Sequence, residues 1–136
     1  MERRNHSVVR YALEKEYLDN RGRIAACAIV FIAVPTPTTP KGFDYSIVEQ
    51  SLKLVGKGNV AVIKSTVLPG TTAKLQKKFP NIYVMHSPEF LVLKQAAEDA
   101  ARPLRNIIGV VKESAAAKAK AKEVMKVLPR APYELI

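Results

Sequence analysis

The chain has 136 residues, 48% of them hydrophobic, and its 22 basic against 12 acidic side chains leave a net charge of +10. That length matches one domain spanning residues 1–136, the apolar content argues for a packed core over disorder, and no apolar run approaches the roughly 18 residues of a membrane span. The single cysteine, Cys27, excludes an intramolecular disulfide framework, and the opening residues 1–6 lack the apolar core of a signal peptide, so a reducing cytoplasm is the expected location.

The charge favours phosphate-bearing or polyanionic partners. Its lysines are scattered, however, over Lys74, Lys77 and Lys78 and then Lys112, Lys118, Lys120, Lys122 and Lys126, which reads as solvated helical faces. Nucleic-acid binding needs basic residues focused on one surface with stacking aromatics. The aromatics here are few and sit beside apolar residues, so nucleic acid is not an expected partner.

Residues 7–18 predict an amphipathic helix, with Ser7 as N-cap and Val8, Tyr11, Ala12, Lys15 and Leu18 at helical spacing, Lys15 being the polar interruption. Gly22 lies in the segment that ends it. Residues 25–34 are continuously apolar, and Ile29 to Val34 predicts a buried strand. Cys27 at its entrance reads as a small core residue. The stretch 35–42 (Pro-Thr-Pro-Thr-Thr-Pro-Lys-Gly) cannot continue a sheet, because proline fixes φ and removes a donor. It is either a rigid connector or a loop offering threonine hydroxyls at the strand's carboxyl end.

Asp44 then caps a helix to about Val55, with Ile47, Val48, Leu52 and Val55 as its buried stripe and Gly56 or Gly58 as its stop. Val60 to Ile63 predicts a strand covered on both faces. Ser65 and Thr66 follow at its carboxyl end, Pro69 and Gly70 turn the chain, and Thr71 or Thr72 caps a helix over 73–79. In an open α/β sheet ligands bind beyond the carboxyl ends of the strands. Ser65 and Thr66 are therefore either ligand-facing or simply capping and backbone-satisfying groups.

Asn81 to His86 predicts the next strand. Ser87 and Pro88 then read as N-cap and first residue of a helix to about Arg102, with Glu89 complementing its dipole. Asn106 to Val111 predicts a strand, Ser114 caps an Ala/Lys-rich helix to about Leu128, and Tyr133 to Ile136 reads as a last strand or the beginning of one cut short. Apolar strands alternating with helices give an α/β fold, a parallel sheet flanked by helices.

Three motifs stand at the ends of three successive strands: Val34-Pro35-Thr36-Pro37, Lys64-Ser65-Thr66-Val67-Leu68-Pro69-Gly70 and His86-Ser87-Pro88-Glu89-Phe90-Leu91. In this order and spacing they resemble the N-terminal domain of the UDP-glucose/GDP-mannose dehydrogenase family, strongly over residues 28–111 and more loosely elsewhere. The resemblance implies a Rossmann-like domain holding NAD and the oxidation of a nucleotide sugar, its 6-hydroxymethyl group becoming a carboxylate in two hydride transfers. It implies that Pro35, Thr36, Ser65 and Thr66 lie at the cofactor, that Thr66 helps position a catalytic water, and that Glu89 is the active-site glutamate. A hydroxyl can orient water and a carboxylate can act as its base within hydrogen-bond reach. No metal site is implied.

The chain departs from the family's pattern at four points. The first strand and its Gly-x-Gly-x-x-Gly turn, which receives the pyrophosphate, have no counterpart before residue 7. No second strand with an acidic residue for the ribose stands between Leu18 and Ala28. Leu93 occupies the place of the family's second glutamate. The family's thiol nucleophile and its lysine lie beyond Ile136, and Cys27 does not replace the thiol. The expectation is a fragment, a shortened natural relative or an engineered core of such an NAD domain, not active in oxidising sugars alone. Either it engages NAD or a nucleotide sugar, weakly or with another subunit completing the site, or it is a non-catalytic module that self-associates, since losing the first strands exposes an interior strand as an edge.

Overall fold

The computed structural model describes residues 6–90 and 93–136, Leu93 by its backbone alone. The elements run α1 (Lys15–Leu18), a 3-10 stretch (Asp19–Ala26), β1 (Ile29–Ile32), β2 (Thr38–Thr39), β3 (Gly42–Phe43), α2 (Ser46–Leu52), β4 (Val60–Ile63) and α3 (Thr71–Lys78). They continue with β5 (Tyr83–His86), a 3-10 turn (Leu93–Gln95), α4 (Ala96–Ala101), β6 (Arg105–Ile107), β7 (Gly109–Val110), α5 (Ala115–Val127) and β8 (Tyr133–Leu135).

The main sheet has the order β1-β4-β5-β7. β4 pairs in parallel with β1 on one side and β5 on the other, Val60 lying opposite both Ile29 and Tyr83. Its four side chains are all fully buried, because alternate residues enter two different cores. Ala61 and Ile63 meet Val48 and Leu52 of α2 and Leu75 of α3, whereas Val60 and Val62 meet Ala121 and Val124 of α5. An unbroken run of β-branched residues suits that two-faced environment. Each buried aliphatic side chain contributes about 1.5–3 kcal/mol, so β4 anchors both layers.

The fold is α/β and the sheet mostly parallel, with one departure. The expected strand from Asn106 to Val111 is broken at Ile108, whose side chain turns into the α5 core. β6 pairs in parallel with β8, while β7 runs antiparallel to β5. β1 is shorter than expected and only Ile32 in it is buried, because it forms the sheet's edge with a neighbour on one side alone. The proline-rich loop stays out of this sheet and folds on itself as the β2–β3 ribbon.

The expected helix over 7–18 does not form. Residues 6–14 carry no regular helix, α1 is four residues long, and the chain tightens to 3-10 geometry through Ala26. The apolar stripe is narrow, an isolated helix of that length is marginal, and the Asn20 side chain donates to the Arg10 carbonyl at 2.9 Å, a local bond that competes with helix. Leu13 is left 85% exposed.

Asp44 does not take the cap position of α2, which falls on Tyr45; from one residue further out its carboxylate accepts from the Ser46 N–H at 2.8 Å, and this bond holds its pKa below the ordinary value. Ile47, expected in the buried stripe, is turned outward and is 41% exposed; Val48, Leu52 and Val55 are buried. Neither Thr71 nor Thr72 caps α3. Gly70, at φ +84°, takes the cap position, a left-handed conformation glycine adopts at no steric cost, and the helix starts two residues earlier than expected. Ser114 caps α5 as expected, accepting from Ala117 at 3.1 Å.

Candidate functional site

The carboxyl ends of β1, β4 and β5 lie side by side, which brings the three motif loops together. Ser65 is 8% exposed and joins the first two loops. Its hydroxyl donates to the Val34 carbonyl at 2.8 Å and accepts from the Val34 N–H at 2.8 Å. Within β1, alternate carbonyls accept from β4, Ala28 from Val60 and Ile32 from Lys64. Val34 is the next residue in that series, so the Ser65 side chain supplies the rung that the backbone no longer can. Its single hydroxyl hydrogen is committed there.

Thr36 donates to the Thr66 carbonyl at 2.8 Å, a second bridge between the same loops. Its oxygen retains acceptor capacity. The Thr66 side chain and Pro35 are exposed. Two hydrogen-bonded bridges thus hold a small polar platform at the ends of two parallel strands.

The third loop does not open as a helix. Ser87 is 2% exposed, its N–H extends the sheet by donating to the Ile63 carbonyl at 3.0 Å, and its hydroxyl accepts from the Lys64 ammonium at 3.3 Å. A serine used in this way cannot cap a helix, so regular helix begins only at Ala96. Glu89 consequently does not face a helix dipole. It pairs with Lys64 at 3.0 Å, with the lysine side chain 17% exposed and the carboxylate 43%. The expected contribution of Leu93 concerns a side chain outside the described residues, as do Leu91 and Val92.

Lys64 and Glu89 open onto a cleft of about 310 Å³ whose wall also includes Phe31, Asn106, Leu128 and Pro129. Asn106 is 8% exposed and its amide donates to the Pro129 carbonyl at 2.6 Å, which fixes the cleft's far side. An ammonium and a carboxylate in contact make the polar wall electrically neutral, offering a donor and an acceptor side by side against an aromatic ring and prolines. Such a surface suits an uncharged ring with polar substituents better than a phosphate. Pro35, Thr36, Ser65 and Thr66 do not line this cleft.

Lys64 and Asn106 were not singled out from the sequence. Lys64 ends an otherwise apolar strand immediately before Ser65, and that abrupt placement of a charge is the signal that could have marked it. His86, at the end of β5, also escaped notice. Burial lowers its pKa, a hydrogen bond with the Ser65 backbone opposes this, and the neighbouring Lys64 charge adds to the lowering.

Comparison with known proteins follows the same outline. The model of the UDP-glucose/GDP-mannose dehydrogenase family, NAD binding domain, matches residues 1–128. The chain is 32% identical over 119 residues to the UDP-N-acetyl-D-mannosamine dehydrogenase of Methanococcus maripaludis, covering 80% of this chain and 28% of that protein. It is 38% identical over 90 residues to the UDP-glucose 6-dehydrogenase of Rickettsia typhi, covering 60% of this chain and 21% of that protein. Among solved structures, a UDP-glucose dehydrogenase from Pyrobaculum islandicum superposes with a TM-score of 0.69 at 32% identity, over 85% of this chain and 30% of that one. The UDP-D-ManNAc dehydrogenase of Pyrococcus horikoshii shares the fold, with a TM-score of 0.71 at 21% identity over 93% of this chain and 36% of that one. The chain thus spans between about a fifth and just over a third of the length of these relatives.

Proposed function

Because the chain belongs to the UDP-glucose/GDP-mannose dehydrogenase family by its match to the NAD-binding domain, we propose that it supplies the strand-end half of a nucleotide-sugar dehydrogenase's cofactor site. In this reading Pro35, Thr36 and Thr66 contact NAD, Ser65 holds their loops in register, and Glu89 is the carboxylate that faces the sugar end of the reaction with Thr66 orienting water. The observation that carries it is the Lys64–Glu89 pair, 3.0 Å apart on the wall of the cleft. It sets a carboxylate against an ammonium beside a ring-sized space.

The fit to NAD is partial. The cleft, at about 310 Å³, lies at the small end of ligand pockets and matches one ring better than a dinucleotide. Among the described residues no glycine-rich turn leads into a helix, and the first helix, α1, has four residues and no side-chain cap. The pyrophosphate therefore lacks the backbone donors that a helix N-terminus gives it. We infer that the chain alone binds NAD weakly, does not oxidise a nucleotide sugar alone, and works in a reducing cytoplasm with a completing subunit or a second copy. Among the described residues no helix is long and apolar enough to cross a membrane.

Calorimetric titration of the chain with NAD, with ADP-ribose as comparison, tests this reading. Saturable binding of NAD, weakened roughly two- to tenfold by Thr36→Ala as one hydrogen bond of about 0.5–1.5 kcal/mol predicts, supports it. No heat up to millimolar NAD, or binding that ignores Thr36→Ala, overturns it. A second reading, a non-catalytic module that self-associates, draws on the edge position of β1; a strictly monomeric species at high micromolar concentration would exclude it.

A further inference from the structure

The wall of the cleft cancels its own charge, because Lys64 and Glu89 are in contact at 3.0 Å. The charge around its rim does not cancel. Asn106 and Pro129 both line the cleft and are tied together by the 2.6 Å bond from the Asn106 amide to the Pro129 carbonyl. Arg105 comes immediately before Asn106, and Arg130 immediately after Pro129. Consecutive Cα atoms lie about 3.8 Å apart, so one short hydrogen bond brings two cations to the same side of the cleft.

Both arginines are exposed, and among the described residues neither is paired with a carboxylate. The carboxylates of this region are engaged elsewhere. Glu98 faces Arg102 at 3.9 Å, Glu134 accepts from the Ala131 N–H at 3.4 Å, and Glu89 is held by Lys64. Side chains alternate along a strand, so Arg105 leaves β6 on the side opposite Asn106. Its guanidinium lies over the ring of Phe90, 5.2 Å from the centroid, and Phe90 directly follows Glu89. The stack therefore joins the Asn106 side of the cleft to the loop that carries Glu89. An aromatic face steadies the plane of a guanidinium and leaves the N–H groups around its edge free to donate.

We propose that Arg105 and Arg130 are specificity-determining residues of the cleft: they form an anion-reading rim that makes it select a sugar ring bearing a phosphate over the ring alone. Sugar hydroxyls both donate and accept. Inside the cleft, the ammonium of Lys64, the carboxylate of Glu89 and the amide of Asn106 answer them without net charge. A phosphate is answered by guanidinium groups, whose planar fork fits its oxygens. Placed at the rim, the phosphate also keeps water on its outer side, so its charge is not fully desolvated. The inference rests on reading the cleft as the sugar end of the site. It does not rest on NAD, because Pro35, Thr36, Ser65 and Thr66 lie outside the cleft. Neither arginine belongs to the three strand-end motifs.

Calorimetric titration of the full chain at about 0.1 M salt compares glucose 1-phosphate, glucose and inorganic phosphate. Glucose 1-phosphate is expected to bind about tenfold or more tightly than either of the others, the least that one charge-assisted hydrogen bond supplies. Arg105→Gln combined with Arg130→Gln should abolish that advantage. Lys118→Gln, which removes an exposed charge from α5, should keep it. Glucose 1-phosphate that binds no better than glucose, or fails to bind at millimolar concentration, would overturn the proposal, as would an advantage that survives the double variant. Inorganic phosphate binding as tightly as glucose 1-phosphate overturns it too, since that marks a basic surface without a ring site. The NAD titration with Thr36→Ala reads the strand-end platform separately. If that succeeds and glucose 1-phosphate fails, the rim assignment alone falls; if both fail, the cofactor reading falls with it.

Discussion

Gly56 shows how one missing methyl group sets the path of the chain. A Cβ placed on it would lie 2.1 Å from the Ala25 carbonyl oxygen and 2.8 Å from the Asn59 amide nitrogen. That same carbonyl accepts from the Asn59 side chain at 3.1 Å. The residue matters because this is where the 3-10 stretch before β1 rests against the turn before β4. A backbone atom cannot yield as the tip of a side chain does, so Gly56→Ala has to push the stretch away and break the Asn59 bond. Overpacking of this kind costs about 1–3 kcal/mol. Urea unfolding of the variant should show a lowered midpoint with an unchanged slope; an unchanged midpoint would mean that the approach of Ala25 is not a fixed part of the fold. From the sequence, Gly56 and Gly58 were interchangeable helix stops. Only the distance to Ala25, a residue far away along the chain, separates them.

At the scale of elements, α3 and β5 are joined by a buried side chain. Gln76 is 4% exposed and makes three hydrogen bonds to backbone. It donates to the carbonyls of Phe79 at 3.0 Å and Ile82 at 2.9 Å and accepts from the Val84 N–H at 3.0 Å. The bend from helix to strand thus has its polar groups satisfied from within the core. Gln76→Leu keeps the volume and takes the side-chain partner from the Ile82 carbonyl and the Val84 N–H, each unsatisfied buried group costing about 1–3 kcal/mol. The variant should unfold at markedly lower urea than Lys77→Leu, which changes an exposed neighbour. Equal midpoints would show that water or a backbone shift replaces the glutamine.

The strands of the sheet were legible because β4 and β5 are buried through sequence-local properties, apolar runs of the right length between turn residues. α5 was legible for a similar reason, its capping serine and small apolar stripe being enough. The segments at 7–18 and after Ser87 were not. Their local signals, Ser7 and Ser87 ahead of apolar spacing, are genuine helix signals, but Arg10 is taken by Asn20 and Ser87 by Lys64. Both are contacts between residues ten or more apart. The site followed the same division. The strand-end loops could be placed by motif, while the grouping of Lys64, Glu89 and Asn106 around one cleft depends on tertiary packing.

The whole molecule combines a surplus of ten positive charges with an apolar sheet edge. In β1, Ala28 and Ile32 direct their carbonyls at β4. By the alternation of a parallel ladder Val30 does the same, so the N–H and carbonyl groups of Ile29 and Phe31 point to the open side. Ile-Val-Phe-Ile carries neither lysine nor proline, the residues that usually deter pairing at an edge. Repulsion between two copies at +10 works against that pairing and is screened by salt, since the Debye length is about 10 Å at 0.1 M and about 3 Å at 1 M. If a second copy adds to this edge, association should strengthen as salt is raised, the opposite of a polyanion complex, which salt weakens. Amide hydrogen exchange reads the edge directly. In dilute, low-salt solution Ile29 and Phe31 should exchange quickly while Val30 and Ile32 are protected. At high protein concentration and about 0.5 M salt, Ile29 and Phe31 should become protected in step with a rise in sedimenting mass. Fast exchange at these two amides under every condition would exclude pairing at β1. Slow exchange in dilute solution would show that the edge is already covered within the chain.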